Sequence, residues 1–280
     1  MVAAFDGIYT VDLTQRSANF VGQTGSYAGQ LIAIEGMAYS PDQVLYGVSD
    51  NVKAFVRIDA VSGAATVVGP LVLDGEGQFN NADPALAATA DGRFWLTSAT
   101  LGKLWQLDPS SGTTTLVGSL GVAITGLAAH GNELYGAGSR GDEGLYRIDM
   151  KTGRAALIRR FNDQIPYAAS ISLAFDEEDR LWATVNYNPP QNDNGSIATW
   201  SDLALVDRNS GVIDPLGALT GPRELQTIPV RGFAITAPRG SGAVVNPVPA
   251  ASSWSLLLLS GLIALVVLLQ LRVEKRVEPK

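Results

Sequence analysis

Short runs in which apolar and polar residues alternate recur along most of the chain, and each run ends at an aspartate. The residues one and three positions before each aspartate are apolar in all five copies, and the residue between them is polar in four. A period of two is typical of a β-strand with one buried face. Each copy therefore predicts a strand that ends at its aspartate, and these aspartates are Asp12, Asp59, Asp108, Asp149 and Asp207.

A turn is predicted after each aspartate, because four of the five copies continue as D-x-x-[ST]-G. The glycines are Gly63, Gly112, Gly153 and Gly211, and the first copy has Arg16 instead. Asp, Ser and Thr oxygens accept hydrogen bonds from turn amides, and glycine adopts a positive φ without steric cost. The aspartates are therefore predicted to be structural residues of hairpin turns.

Two further strands complete each repeat. A triplet of a small residue, an apolar residue and alanine opens the third strand, at residues 36–38, 85–87, 126–128, 172–174 and 232–234. An apolar residue followed by an aromatic one marks the fourth strand, at residues 45–46, 94–95, 134–135 and 181–182. Four short strands per repeat are the content of one propeller blade. The chain is therefore predicted to be an all-β protein that forms a five-bladed β-propeller.

The two ends of the repeat region complement each other. The triplet at 232–234 has no aromatic strand after it, and Asp12 has no such strand before it. We expect the C-terminal triplet to complete a blade whose other strands come from the N-terminus, which closes the ring. Residues 1–4 align with residues 48–51, which indicates that a few native residues, and a secretion signal with them, precede Met1. The alternative is that Met1 is the native start and this blade is short of a strand.

The composition changes after the propeller, which is predicted to span residues 1–238. Residues 239–253 are rich in Gly, Ala, Ser and Pro and are typical of a linker. Residues 254–271 are almost wholly apolar and long enough for a transmembrane helix. Residues 272–280 are predicted to be a basic cytoplasmic tail, so the propeller would lie outside the membrane. The sequence therefore predicts an exported protein of the cell membrane or cell envelope.

The tail VPAASSWSLLLLSGLIALVVLLQLRVEKR resembles the bacterial C-terminal sorting signals of the PEP-CTERM and IPTL-CTERM type. The positions that carry the resemblance are Val248, Pro249, Ser252, Trp254, Arg272, Lys275 and Arg276. The chain has Val248 where the Pro-Glu-Pro form has glutamate. The resemblance implies an exosortase-type membrane enzyme as a partner, and a plain membrane anchor is the alternative. The repeats, such as GLYRIDMKTGRAALI, resemble bacterial propeller repeats of the LYxIDxxTGxxxxVG kind, which implies a fold and no activity.

Composition narrows the chemistry that the propeller can perform. The chain has no cysteine and a single histidine, His130, which removes thiol nucleophiles, thiolate metal sites and histidine-rich metal centres. The net charge is −7 and no basic stripe is present, which argues against a nucleic-acid partner. The sequence favours a non-enzymatic binding or matrix module for a protein or glycan ligand. The alternative is a hydrolase or lactonase that uses Ca²⁺ as its cofactor.

Two irregular loops hold the candidate site residues. The first is LDGEGQFNNADP, where oxygen ligands for Ca²⁺ would come from Asp74, Glu76, Asn80 and Asp83, and a solvated acidic loop is the alternative. The second is the insertion NYNPPQNDNGSIATW, where a sugar or peptide could bind to Tyr187, Asn192 and Trp200. An ordinary surface loop is the alternative for the second.

Overall fold

The computed structural model of the 280-residue chain describes residues 1–77, 81–161, 165, 167–191, 199–222, 225 and 228–236, and for residues 188–191 and 199–200 it describes the backbone alone. These residues form twenty-two β-strands and no α-helix. None of them forms a helix that could cross a membrane. The predicted linker, transmembrane helix and basic tail lie outside the described residues.

Twenty of the strands form five antiparallel sheets of four strands each. The first blade holds β22 (Gly232–Phe233), β1 (Val2–Ala4), β2 (Gly7–Asp12) and β3 (Ser17–Gln23); the second holds β6 (Gly36–Tyr39), β7 (Leu45–Ser49), β8 (Ala54–Ile58) and β9 (Ala65–Pro70). The third holds β10 (Pro84–Ala88), β11 (Phe94–Ser98), β12 (Lys103–Leu107) and β13 (Thr114–Ser119). The fourth holds β14 (Ile124–His130), β15 (Glu133–Gly138), β16 (Gly144–Ile148) and β17 (Ala155–Arg160). The fifth holds β18 (Ser170–Phe175), β19 (Leu181–Gln191), β20 (Thr199–Val206) and β21 (Ile213–Ala218), while β4 (Ser26–Tyr27) and β5 (Gln30–Leu31) form a separate hairpin.

The five strands that begin with the small–apolar–Ala triplets form the centre of the molecule. Strand β6 contacts β10, β10 contacts β14, β14 contacts β18, β18 contacts β22, and β22 contacts β6. This cycle of contacts makes the five sheets the blades of a propeller. Strand β22 pairs with β1, where Ala3 lies opposite Gly232, and the Ala234 amide donates to the Met1 carbonyl at 2.9 Å. The predicted ring of five blades, closed by strands from both ends of the repeat region, is confirmed.

The register of β1 differs by two residues from the alignment that the sequence suggests. Val2 lies opposite Tyr9, three residues before the turn aspartate, and in the second blade Gly47 is the residue that lies opposite the equivalent position. The sequence alignment instead makes Val2 equivalent to Ser49. Loop length explains the difference, because only Phe5 and Asp6 join β1 to β2, whereas four residues join β7 to β8. The shorter loop is tight enough to hold Phe5 at a positive φ of 54°.

The repeated aspartates hold the turns that the sequence predicts for them. Asp59 Oδ1 accepts hydrogen bonds from the amides of Val61 at 2.8 Å and Ser62 at 3.3 Å. The same contacts to the amides two or three residues on recur at Asp12, Asp108, Asp149 and Asp207. These hydrogen bonds favour the ionised form and lower the pKa of the Asp59 carboxyl. The structural role predicted for the aspartates agrees with this geometry.

Candidate functional site

Charged residues from four blades meet at one face of the propeller. The strands of each blade are antiparallel, so the segment before its first strand and the loop between its second and third strands lie at the same face. Glu35 precedes β6, Asp83 lies just before β10, and Arg231 precedes β22. Loops between the second and third strands of the second and fourth blades add Asp50, Lys53 and Arg140. We call this set the mouth cluster, and it consists of Glu35, Asp50, Lys53, Asp83, Arg140 and Arg231. The loop of the fourth blade also carries Asp142, which pairs with Arg160, and Glu143, which accepts backbone amides.

Asp83 joins two arginines that come from two other blades. Its Oδ1 accepts a hydrogen bond from Arg231 Nη1 at 2.6 Å, and its Oδ2 accepts one from Arg140 Nη2. The Asp83 side chain is 6% exposed, whereas the side chains of Arg140 and Arg231 are 39% and 36% exposed. Two cations share one buried carboxylate, so this part of the mouth carries a local excess of positive charge that reaches solvent.

A second carboxylate ties the second blade to the third. Asp50 Oδ1 pairs with Lys53 Nζ at 2.6 Å, and Asp50 Oδ2 accepts the amide of Ala82 at 2.8 Å. Ala82 directly precedes Asp83, so this contact also fixes the loop that carries Asp83. A carboxylate that is satisfied by an ammonium and an amide stabilises the mouth and adds little net charge to it.

Glu35 has an unusual electrostatic environment. Its Oε2 is buried and has no hydrogen-bond partner among the described residues. Burial raises the pKa of this carboxyl to about 7; Arg231 opposes the shift, whereas Asp50 and Asp83 add to it. Both the neutral and the ionised form of Glu35 are therefore populated at neutral pH. A carboxyl group of this kind can donate a hydrogen bond or transfer a proton.

The fifth blade holds the segment that carries Arg231. Ser201 Oγ donates to Asn186 Oδ1 at 2.5 Å and accepts the amide of Val230 at 3.0 Å. Asn186 Nδ2 donates to Ser170 Oγ at 2.8 Å, and Ser172 Oγ donates to the carbonyl of Arg231. Buried polar groups are satisfied when they bond to one another in this way. The backbone on both sides of Arg231 is therefore fixed, while its guanidinium stays partly exposed.

Two exposed aromatic side chains flank the mouth cluster. Phe5 is 46% exposed, and its carbonyl accepts the amide of Ile34 at 3.0 Å, one residue before Glu35. Tyr167 is 45% exposed, and the carbonyl of the following Ala168 accepts the amide of Arg140 at 3.1 Å. Two of the segments that carry charged residues of the mouth thus adjoin a residue with an exposed aromatic ring.

In the structure, the predicted Ca²⁺ ligands that are described each contact a different residue. Asp74 Oδ2 accepts the amide of Leu116 at 3.0 Å, Glu76 pairs with Lys103, and Asp83 belongs to the mouth cluster. Asn80 lies outside the described residues. Within the part of the chain that the structure describes, no group of three or more His, Cys, Asp or Glu side chains could hold a metal ion.

The other predicted sites lie partly or wholly outside the described residues. Tyr187 is buried in the core of the fifth blade, and its hydroxyl donates to Asp202 Oδ2 at 3.2 Å. Burial raises the pKa of Tyr187. Asn192 and the side chain of Trp200 are not among the described residues, so the binding surface proposed for the insertion stays a prediction. The same holds for the sorting signal, with Val248, Pro249, Ser252, Trp254, Arg272, Lys275 and Arg276.

Sequence patterns point to Asp83 but not to the mouth cluster as a whole. Apart from Glu35 and Arg231, the members of the cluster lie at different offsets in different repeats, so no motif connects the whole set. The sequence does contain one signal for the cluster: Glu35 and Arg231 each directly precede a triplet that begins an innermost strand. Charged residues at that position reach the channel mouth in a propeller, and this position is the place where such a cluster could be sought.

Comparison with known proteins agrees with the repeat and the fold. A family described as a repeat of unknown function (DUF6923) matches residues 16–170, which is more than half of the chain. No protein of curated function matches. A chain from a nidogen/laminin complex is similar in structure, with a TM-score of 0.51 and 14% identity over 83% of this chain and 96% of that one. At this identity the likeness concerns the fold alone.

Two further solved structures are similar over a smaller share of their length. A protein of unknown function from Bacteroides thetaiotaomicron has a TM-score of 0.45 and 18% identity, over 63% of this chain and 50% of its own. A gluconolactonase from Xanthomonas campestris has a TM-score of 0.46 and 17% identity, over 69% of this chain and 63% of its own. The chain therefore spans less than two thirds of either protein.

Proposed function

Since the chain belongs to the DUF6923 family of repeats, whose function is unknown, we propose its function from its own surface: it is an exported propeller of the cell envelope that binds a protein or glycan ligand without transforming it. The observation that carries this proposal is the mouth cluster, in which two arginines from different blades remain partly exposed around one buried carboxylate. Partly exposed charges that rigid strands hold in place are suited to ligand recognition.

Attachment to the envelope is proposed from the tail. The apolar run at residues 254–271 and the basic residues that follow it support a membrane segment, and the resemblance to sorting signals supports recognition by an exosortase-type enzyme. The test compares the full chain, exported behind a secretion signal, with the same chain ending at residue 240. The full chain should fractionate with membranes and the shorter one should not. Equal distribution of the two would contradict the proposal.

A hydrolase or lactonase is the second candidate, and one observation favours it. The pKa of Glu35, about 7, suits a general acid or base that works at neutral pH. The sequence suggested Ca²⁺ as the cofactor of this activity. Among the described residues, no group of three or more His, Cys, Asp or Glu side chains could hold such an ion. Turnover of lactones or esters by the full chain, abolished by Glu35→Gln, would make the enzyme the better account.

The binding function is tested with immobilised glycans and peptides. The full chain, kept in a mild non-ionic detergent, is screened alongside an Arg231→Gln variant and an Arg147→Gln control. Arg147 is 56% exposed and pairs with Glu133, the first residue of β15, which directly follows the turn between the first two strands of its blade and so lies near the opposite face. We expect ligands that bind the wild type and the control but lose most of their affinity for the variant at the mouth. A protein that binds nothing, or binds equally well without Arg231, would refute the proposal.

A further inference from the structure

We propose that the mouth cluster binds a carboxylate-bearing sugar, such as a uronic acid unit of an acidic polysaccharide, and that Arg140 and Arg231 hold its carboxylate. This inference rests on the proposed binding function and names its class of ligand. It rests on the contacts of Asp83, the charges of the mouth cluster, and the exposed rings of Phe5 and Tyr167.

The charge of the mouth matches one negative group. Arg140, Asp83 and Arg231 together carry one positive charge, and Lys53 and Asp50 form a separate pair. Glu35 adds a negative charge beside them only in its ionised form. A carboxylate carries a single charge, whereas a phosphate monoester carries nearly two at neutral pH. A monoanion therefore neutralises the trio formed by the two arginines and Asp83. Guanidinium groups also match the planar, two-oxygen geometry of a carboxylate.

Both guanidinium groups retain N–H groups that can donate hydrogen bonds to such a ligand. A guanidinium carries five N–H groups on three nitrogens. Among contacts to described residues, Asp83 engages one nitrogen of Arg231, while Asp83 and the carbonyl of Ala169 engage two nitrogens of Arg140. The two side chains are 36% and 39% exposed, so the remaining N–H groups can reach solvent or a ligand. Asp83 holds both guanidinium groups in position before the ligand binds, and this lowers the conformational entropy lost on binding.

Glu35 adds a dependence on pH. In its neutral form this carboxyl can donate a hydrogen bond to a sugar hydroxyl or to the ligand carboxylate, and in its ionised form it repels an anion. The other charged groups that act on it are Arg231, Asp50, Asp83 and Lys53. Affinity for an acidic sugar should therefore increase as pH falls through the range in which Glu35 takes up its proton.

The exposed rings favour a sugar over a simple organic acid. Phe5 adjoins the segment before Glu35, and Tyr167 adjoins the residues that bind Arg140. The C–H faces of a pyranose ring are apolar and flat and pack well on aromatic rings, which occur together with polar groups at binding sites. Charges flanked by rings match a polymer that carries carboxylates on apolar rings. A peptide rich in glutamate would use the arginines but not the rings.

The experiment is isothermal titration calorimetry of the full chain in non-ionic detergent. The probes are a galacturonate oligomer, its fully methyl-esterified form and a glutamate peptide of similar length and charge. We expect the oligomer to bind, and the neutral ester and the peptide to bind about tenfold more weakly or not at all. Arg140→Gln and Tyr167→Ala should each weaken binding of the oligomer, whereas Arg147→Gln should leave it unchanged. Circular dichroism checks that each variant is folded.

The probes separate the possible failures. Equal binding of the oligomer and its ester by the wild type would refute the role of the carboxylate without the use of any variant. Tighter binding of the glutamate peptide would refute the sugar and leave the binding function in place. If the calorimetry shows no binding of the oligomer while the immobilised screen finds another ligand at the mouth, only this inference fails. Absence of any ligand in both experiments refutes the inference and the proposed function together.

Discussion

Glu35 couples its ionisation to the stability of the propeller. Its pKa is about 7 in the folded chain, against an ordinary value of 4.5, because burial disfavours the charged form. The folded chain therefore keeps a proton that the unfolded chain releases between these two pH values. Stability from this group is fully present below pH 4.5 and is lost as pH rises through about 7. The shift corresponds to a loss of about 3 kcal/mol in the free energy of unfolding.

Replacing Glu35 tests this coupling. Glu35→Gln keeps the shape of the side chain and removes its titration, so the variant should gain about 3 kcal/mol relative to wild type between acidic pH and slightly alkaline pH. Urea unfolding over a series of pH values measures the difference. Glu133→Gln is the control, because the side chain of Glu133 is 42% exposed, and this variant should still show the loss of stability. Parallel stability curves for Glu35→Gln and wild type would show that Glu35 titrates normally.

At the scale of single residues, sequence patterns identified turns better than the site. The turn aspartates were predictable because each turn is local and the same residues repeat in it. The mouth cluster was not predictable because Asp83 and its two arginines come from three blades, and their contacts arise only when the ring closes. Asp83 appeared in the sequence as a candidate Ca²⁺ ligand, whereas in the structure both of its oxygens bind arginines.

At the scale of strands and turns, a repeated glycine joins neighbouring blades. Four of the five repeats have a glycine ten residues after the turn aspartate, and in three of them the structure shows what the glycine contacts. A Cβ added at Gly69 would lie 1.9 Å from the carbonyl oxygen of Ser111, in the turn of the next blade. Gly22 and Gly118 face the corresponding turns in the same way. The absence of a side chain lets two blades approach closely.

Gly69→Ala tests this contact. The clash with the backbone of the next blade should cost about 2 to 4 kcal/mol in the free energy of unfolding. Gly217→Ala is the comparison without a clash, since a Cβ there meets no atom within 4 Å, and its loss of about 1 to 3 kcal/mol comes from the positive φ of 106°, which Gly69 does not have. Urea unfolding measures both variants. A loss of less than about 1 kcal/mol for Gly69→Ala would mean that close packing does not explain the repeated glycine.

Strand identity followed from the sequence pattern, but one register did not. Alternation of apolar and polar residues located the strands, because one face of each lies in a core between blades. The position of β1 depends instead on the two-residue loop formed by Phe5 and Asp6. The local conformation of such a short loop decides how the two strands pair, and an alignment of repeats carries no information on that conformation. The alignment therefore placed β1 two residues away from its observed register.

At the scale of the whole molecule, closure joins residues that are far apart in sequence. Ala3 lies opposite Gly232, and a Cβ at position 232 would lie 3.2 Å from the Cβ of Ala3. This separation is close to the range of about 3.5 to 4.5 Å that a disulfide needs. The chain has no cysteine, so two introduced cysteines have no other partner. The closure was predictable from the sequence alone, because the strand missing from the first repeat is supplied by the triplet at the end of the repeat region.

A double variant, Ala3→Cys with Gly232→Cys, tests the closure. Under mild oxidation its two thiols should disappear, and the unfolding temperature should rise because the disulfide restricts the unfolded chain. Ala3→Cys with Gly217→Cys is the control, and its thiols should stay free because β21 is the outer strand of another blade. Thiol titration and non-reducing electrophoresis give the readout. Free thiols in both variants would show that β1 and β22 do not pair.

The central claim is that arginine–carboxylate contacts, and not a metal ion, organise the mouth of the ring for binding. The most direct measurement is the metal content and unfolding temperature of the full chain in non-ionic detergent, with millimolar Ca²⁺ and with a chelator. The account predicts no bound ion and the same unfolding temperature in both conditions. A stoichiometric Ca²⁺ ion, with an unfolding temperature that the chelator lowers by several degrees, would contradict the claim and favour a metal-dependent hydrolase.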